Sequence, residues 1–175
     1  SQLAAARSAA TDRGVAGYVV PLLNTTQQPS LPDLDVRGTR QALFDNSIHR
    51  TDRGGPNDTR LNLAEQAKLR AQKAALFGDA DWASYQLYDN MAKDPATALG
   101  FMQRLVPALA ATQRREAAVL NARIAQDGHD FTVQPWDWDY YAEIVRREQY
   151  DLDESAVKPY FEVQRVLEDG VFYAA

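Results

Sequence analysis

The sequence predicts a mainly α-helical fold, an irregular multi-helix array with one or two short β-strands. Three observations predict it. Apolar residues recur at helical spacing over several long runs. Helix start and stop signals, such as Asp94-Pro95, Gly78 and Gly128, punctuate those runs. Only one stretch, Gly17 to Leu23, has the composition of a strand. The 175 residues suit a single helical segment, or part of a larger domain.

In chain order, Gln2 to Arg13 is alanine-rich and closed by Gly14, which reads as a helix end. Gly17-Tyr18-Val19-Val20-Pro21-Leu22-Leu23 is β-branched and apolar, bounded by polar Asn24-Thr25-Thr26. Pro21 has no N–H to give a ladder, so the expected strand lies at an edge or carries a bulge. Gln27 to Asp33 holds Pro29 and Pro32 and reads as a loop.

A helix is expected over 35–50, with Val36, Thr39 or Arg40, Leu43, Phe44 and Ile48 on one side and Gly38 weakening its first turn. After the turn TDRGGPN, Asp58 is expected to cap a helix through Phe77. Its leucine and alanines form a small-residue face, and Gly78 stops it. Asp79 or Asp81 starts a short helix carrying Trp82, Tyr85 and Tyr88.

Asp94 as N-cap with proline next opens a long helix over 95–127, ended by Gly128. Pro107 lies inside it, removes the bond to the Gln103 carbonyl and predicts a kink. Phe131 to Gln134 is a candidate second extended piece. Asp137 reads as the N-cap of the first of two C-terminal helices within 137–175. After a turn at Asp151 and Asp153, Val163, Val166, Leu167, Gly170, Val171 and Ala174 form a helical stripe. That stripe is still running at Ala175, so the chain reads as cut mid-helix; the absence of an initial Met means a processed N-terminus or a fragment.

Apolar residues make up 45% and charged residues 25%, ordinary for a globular chain. Net charge is −5, and it is unevenly placed: residues 134–175 hold ten acidic and four basic side chains (−6), while residues 1–133 hold 14 acidic and 15 basic (+1). A mildly acidic chain without basic clusters argues against nucleic acid, whose phosphates demand Lys and Arg. No apolar run approaches the roughly 20 residues a membrane helix needs. There is no cysteine, so neither disulfide nor thiolate chemistry enters.

The two histidines, His49 and His129, lie 80 positions apart. A zincin places two histidines one helical turn apart, with the glutamate of H-E-x-x-H activating water. Neither histidine has such a partner, so no metal ligand is assigned and no zinc is expected in this chain. Asp137, Asp139, Glu143, Asp151, Asp153 and Glu154 raise acid–base catalysis of the glycosidase type. The simpler reading favours helix starts for Asp137 and Asp153, and an i, i+4 surface pair for Glu143 and Arg147.

Trp136, Trp138, Tyr140 and Tyr141 are the densest aromatic cluster, read as core anchors ahead of a binding wall. Asn24, Gln27 and Gln28 are the candidate substrate-binding residues. They follow an edge strand that an extended peptide could pair with, and their amides suit a peptide backbone. Catalytic residues are not assigned.

Several words taken together carry a family resemblance. PWDWDYYAE, YDLDE, VKPYFE and VLEDGVFYAA toward the C-terminus, with GYVVPLLNTTQQP (Gly17 to Pro29) and Asp89 to Pro95, resemble thimet-oligopeptidase-like zinc metallopeptidases. The similarity is to their bacterial peptidyl-dipeptidase branch, and it runs in the same order along nearly the whole chain. The resemblance implies a multihelical zincin-type peptidase with a deep channel that admits short peptides. It implies one zinc in the parent enzyme, held by H-E-x-x-H and a later glutamate further toward the C-terminus, and release of C-terminal dipeptides.

On that footing this chain is the non-catalytic portion of a cytoplasmic (or periplasmic) enzyme and is inert alone. Its partners are the remainder of the same polypeptide and short peptide substrates, with self-association through the truncated C-terminal helix. The alternative is a self-sufficient helical module that binds peptides or a partner protein without catalysis.

Overall fold

The computed structural model describes residues 2–23, 28–150 and 154–175. Its architecture is helical. Helix α1 (Gln2–Thr11) is followed by an extended segment and a single 3₁₀ turn, Leu31–Asp33. Then come α2 (Arg37–Ile48), α3 (Arg60–Leu76), α4 (Trp82–Leu87), α5 (Pro95–Gln126) and α6 (Pro135–Tyr150). The chain closes with Glu154–Val157, a 3₁₀ turn Lys158–Phe161, one α-turn Val163–Arg165 and a π-helical run Val166–Phe172.

Both expected strands are corrected, since no strand occurs among the described residues. The 17–23 segment is extended, but its neighbours are a helix and a side chain. The Val19 N–H donates to the Ala6 carbonyl of α1 at 3.0 Å. The Leu23 N–H donates to Gln28 Oε1 at 2.9 Å. Pro21 has no donor, and the Val19 and Leu23 N–H groups are used this way rather than in a ladder. At 131–134, the Val133 N–H goes to Asn121 Oδ1 on α5 at 2.7 Å.

Several boundaries follow from caps that the sequence displays. Asp81 accepts from the Ser84 N–H and Asp94 from the Thr97 N–H, both at 2.8 Å. These bonds to the ionised form hold both carboxyls below the usual aspartate range. Gly78 and Gly128 close α3 and α5 at φ +84° and +80°, a conformation that any side chain would strain. Helix α5 runs on through Pro107, one helix rather than two. Asp58 sits one residue outside the Thr59 N-cap of α3 and accepts from the Arg60 N–H at 3.0 Å.

Two expected faces differ. Helix α2 buries Arg40, Leu43 and Ser47, while Val36 and Ile48 are exposed. In α3 only Ala74 is buried, so the small-residue face packs through its last turn against α4. The predicted turn at Asp151 and Asp153 lies outside the described residues. The stripe beyond it is helical, but Val163, Leu167 and Val171 are exposed, and the wider π-turn carries successive residues around the axis.

The core sits where α5, α6 and the 131–133 linker meet. Leu120, Ile124 and Tyr141 are buried there, with Phe131, Val133, Trp138 and Val145 packed around them. Helix α6 also lies against α2 and the 3₁₀ turn. The N-terminal half of α5 is bare: Leu99, Phe101, Met102, Leu105, Val106 and Leu109 all face outward.

Candidate functional site

The strongest polar constellation joins α2 to the first turn of α6. Pro135 is the first residue of α6, a position that suits its fixed φ and missing N–H. Asp137 is therefore not the N-cap but the third residue of the helix. Its Oδ2 reaches back to accept from the Gln134 N–H at 3.2 Å, the return bond of a capping box.

The same carboxylate is fully buried and receives two guanidinium groups. Arg37 Nη2 donates to Oδ2 at 2.9 Å and Nε to Oδ1 at 3.0 Å, a bidentate fork. Arg40 Nη2 donates to Oδ1 at 3.2 Å, while its Nη1 donates to the Leu34 and Asp35 carbonyls at 2.7 and 3.0 Å. Each guanidinium also lies over an aromatic ring, Arg37 over Phe131 at 4.0 Å and Arg40 over Tyr140 at 4.1 Å. Tyr140 Oη donates to Asp35 Oδ1 at 3.3 Å. Burial first, then the negative charge of Asp35, pushes that phenol up. The aromatic cluster thus supplies core anchors and cation platforms, with Trp138 also lining a groove, and the clasp ties α2 to α6.

The candidate substrate-binding residues fare unequally. Asn24 and Gln27 lie outside the described residues. Gln28 is 3% exposed and its amide is engaged: Oε1 by the Leu23 N–H, and Nε2 donating to the Leu23 carbonyl at 3.3 Å and to Ser47 Oγ at 2.9 Å. It ties Leu23 to Ser47 of α2. Gln28→Ala is expected to lose about 1–3 kcal/mol through buried groups left unpaired. Urea denaturation reads that loss, and faster hydrogen exchange at Leu23 localises it.

Two open grooves flank α6, and Asp139 lines both. One, of about 440 Å³, runs beside Gln28, Pro32 and Glu143. The other, of about 580 Å³, lies between α5 and α6 over Leu31, Phe44 and Trp138. Glu143 is claimed by Arg146 Nε at 2.7 Å and by Arg147 Nε at 2.7 Å, the second being the expected i, i+4 pair. Arg146, then Arg147, hold Glu143 below its ordinary value. Asp139 differs, being half-buried, and desolvation alone pushes its carboxyl up.

His49 Nδ1 pairs with Asp52 at 3.0 Å in the turn after α2, and His129 stacks on Phe131 at 5.3 Å. Among the described residues no group of three or more His, Cys, Asp or Glu is placed to hold a metal ion, so these residues do not fit a zinc site. Nor is any described helix long and apolar enough to cross a membrane.

The sequence reasoning missed the clasp. Its one visible signal was Arg37 and Arg40 a helical turn apart, with the second on an otherwise apolar face.

The model of peptidase family M3 matches residues 30–175. The chain is 43% identical over 175 residues to the dipeptidyl carboxypeptidase of Escherichia coli K12, covering 99% of this chain and 26% of that protein. It is 27% identical over 176 residues to oligopeptidase A of the same organism, again covering 26% of the relative. Saccharolysin of Saccharomyces cerevisiae is 32% identical over 111 residues. The chain therefore spans about a quarter of the length of the two bacterial relatives. With most of its residues inside the family model and both bacterial relatives aligned to nearly all of it, the chain belongs to peptidase family M3.

Proposed function

We propose that this chain is a non-catalytic portion of a zinc metallopeptidase that hydrolyses short peptides and releases C-terminal dipeptides. The observation that carries the reading is 43% identity, sustained along 99% of the chain, to a dipeptidyl carboxypeptidase four times its length. The bare apolar faces of α3, of the first half of α5 and of the π-helical run support it. Single exposed leucines are ordinary, but contiguous stripes of this kind mark surfaces that something covers. The cover proposed is the remainder of the same polypeptide, which also supplies the zinc ligands. The metal would polarise a peptide carbonyl there; the residues of this chain hold the framework, through the Asp137 clasp and the Leu120–Ile124–Tyr141 core.

In the cytoplasmic enzyme so proposed, the 24–28 segment is kept as a peptide contact, with Asn24 and Gln27 making it and Gln28 anchoring one end. A chain produced without its cover would associate with itself through the 163–173 stripe.

Mass spectrometry of a short peptide incubated with the complete protein is expected to show loss of dipeptides from the C-terminus. The 175-residue chain alone, supplied with zinc, releases none. Dipeptide release by the chain alone, or a complete protein that leaves the peptide intact, overturns the reading.

A further inference from the structure

The groove between α5 and α6 carries two charges that do not meet. Asp139 from α6 and Arg114 from α5 both line it, and neither has a hydrogen bond or ion pair among the described residues. Between them the lining is apolar, from Leu31, Phe44, Val133 and Trp138. At about 580 Å³ the groove falls within the size range of small-ligand sites, in which an apolar lining and a few convergent polar groups set orientation.

A half-buried carboxylate without a cation has lost hydration and gained nothing in exchange, so a ligand ammonium recovers what folding gave up. An unpaired guanidinium on the opposite wall is a ready fork for a carboxylate. Gln113 adds an amide to the same wall, suited to a peptide N–H or carbonyl.

We propose that this groove binds a short unblocked peptide, its free ammonium against Asp139, its carboxylate toward Arg114 and an apolar side chain on Trp138. The occupant follows from charge complementarity: a zwitterion satisfies both walls at once, whereas a purely apolar segment satisfies neither. The inference rests on the peptidase reading for the relevance of peptides, and it is tested without hydrolysis.

The test uses the intact chain labelled with 5-fluorotryptophan, whose Trp138 ¹⁹F signal is assigned by its loss in Trp138→Phe. Titration with Leu-Leu is expected to move that signal saturably, with a dissociation constant on the order of 1 mM or below. N-acetylation of the dipeptide is expected to weaken binding about tenfold, and C-terminal amidation similarly, in line with loss of a charged hydrogen bond. In Asp139→Asn the acetyl penalty disappears, and in Arg114→Gln the amide penalty disappears. A single cooperative thermal unfolding transition, retained in both variants, shows that they remain folded. Equal binding of acetylated and free dipeptide, or a Trp138 signal that never moves, overturns the proposal. If the groove fails while the complete protein still releases dipeptides, only this inference falls; if no peptide is cleaved, the reading beneath it falls too.

Discussion

Replacing Asp137 with alanine is expected to cost the fold about 3–5 kcal/mol. The carboxylate has no exposure and Arg40 only 2%, so removing the acid strands a guanidinium out of reach of water. The Leu34 and Asp35 carbonyls still accept from Arg40 Nη1, but two neutral acceptors do not neutralise the charge. Arg37, at 36% side-chain exposure, can turn outward, so Arg37→Ala should cost less than Asp137→Ala. The physical content lies in a double variant. Asp137→Leu with Arg40→Met removes both buried charges and should lose less than Asp137→Ala alone, since the penalty is chiefly the unpaired ion. Denaturant midpoints at constant slope measure all three. A loss under about 1 kcal/mol for Asp137→Ala would show that the clasp contributes no more than a surface pair.

The clasp also marks where sequence reading stopped. Helix ends were legible wherever one residue type decides them: the Asp81 and Asp94 caps, proline after Asp94, and glycine after α3 and α5. These are local events, settled within a turn of the chain. The face of α2 was not legible, because apolar periodicity has no way to favour burial of Arg40 over Val36. What buries Arg40 is an acid 97 positions away, and its value lies in pairing rather than hydropathy. Asp137 was misplaced by three positions, N3 rather than N-cap, for a related reason. It does satisfy an N–H at the start of α6, but from inside the first turn, and Pro135 is what fixes the start.

The 17–23 segment shows the converse error. Its composition is that of a strand, yet strand composition describes a surface that fits a sheet, and no second strand stands beside it among the described residues. The edge-strand argument for Asn24, Gln27 and Gln28 weakens accordingly. The α5–α6 groove had no sequence signal at all, since Arg114 and Asp139 come together only through the packing of two helices.

Ile124 and Leu105 lie on the same long helix and make opposite predictions. Ile124 is 1% exposed, in the one buried apolar cluster among the described residues, and Ile124→Ala is expected to cost about 2–5 kcal/mol wherever it is measured. Leu105, five turns earlier in α5, is 45% exposed and packs against no core, so Leu105→Ala in the 175-residue chain should stay within about 0.5 kcal/mol. The proposed scaffold role changes only the second number. If the first half of α5 is covered by the rest of a longer polypeptide, Leu105 becomes a core residue there. The same substitution should then cost the complete protein about 2 kcal/mol or more. Thermal or denaturant unfolding of both forms makes the comparison. A Leu105→Ala variant as silent in the complete protein as in the isolated chain would mean that this stripe is not what joins the two parts. The exposed leucines of α5 would then be ordinary surface, and the scaffold reading would lose its main structural support.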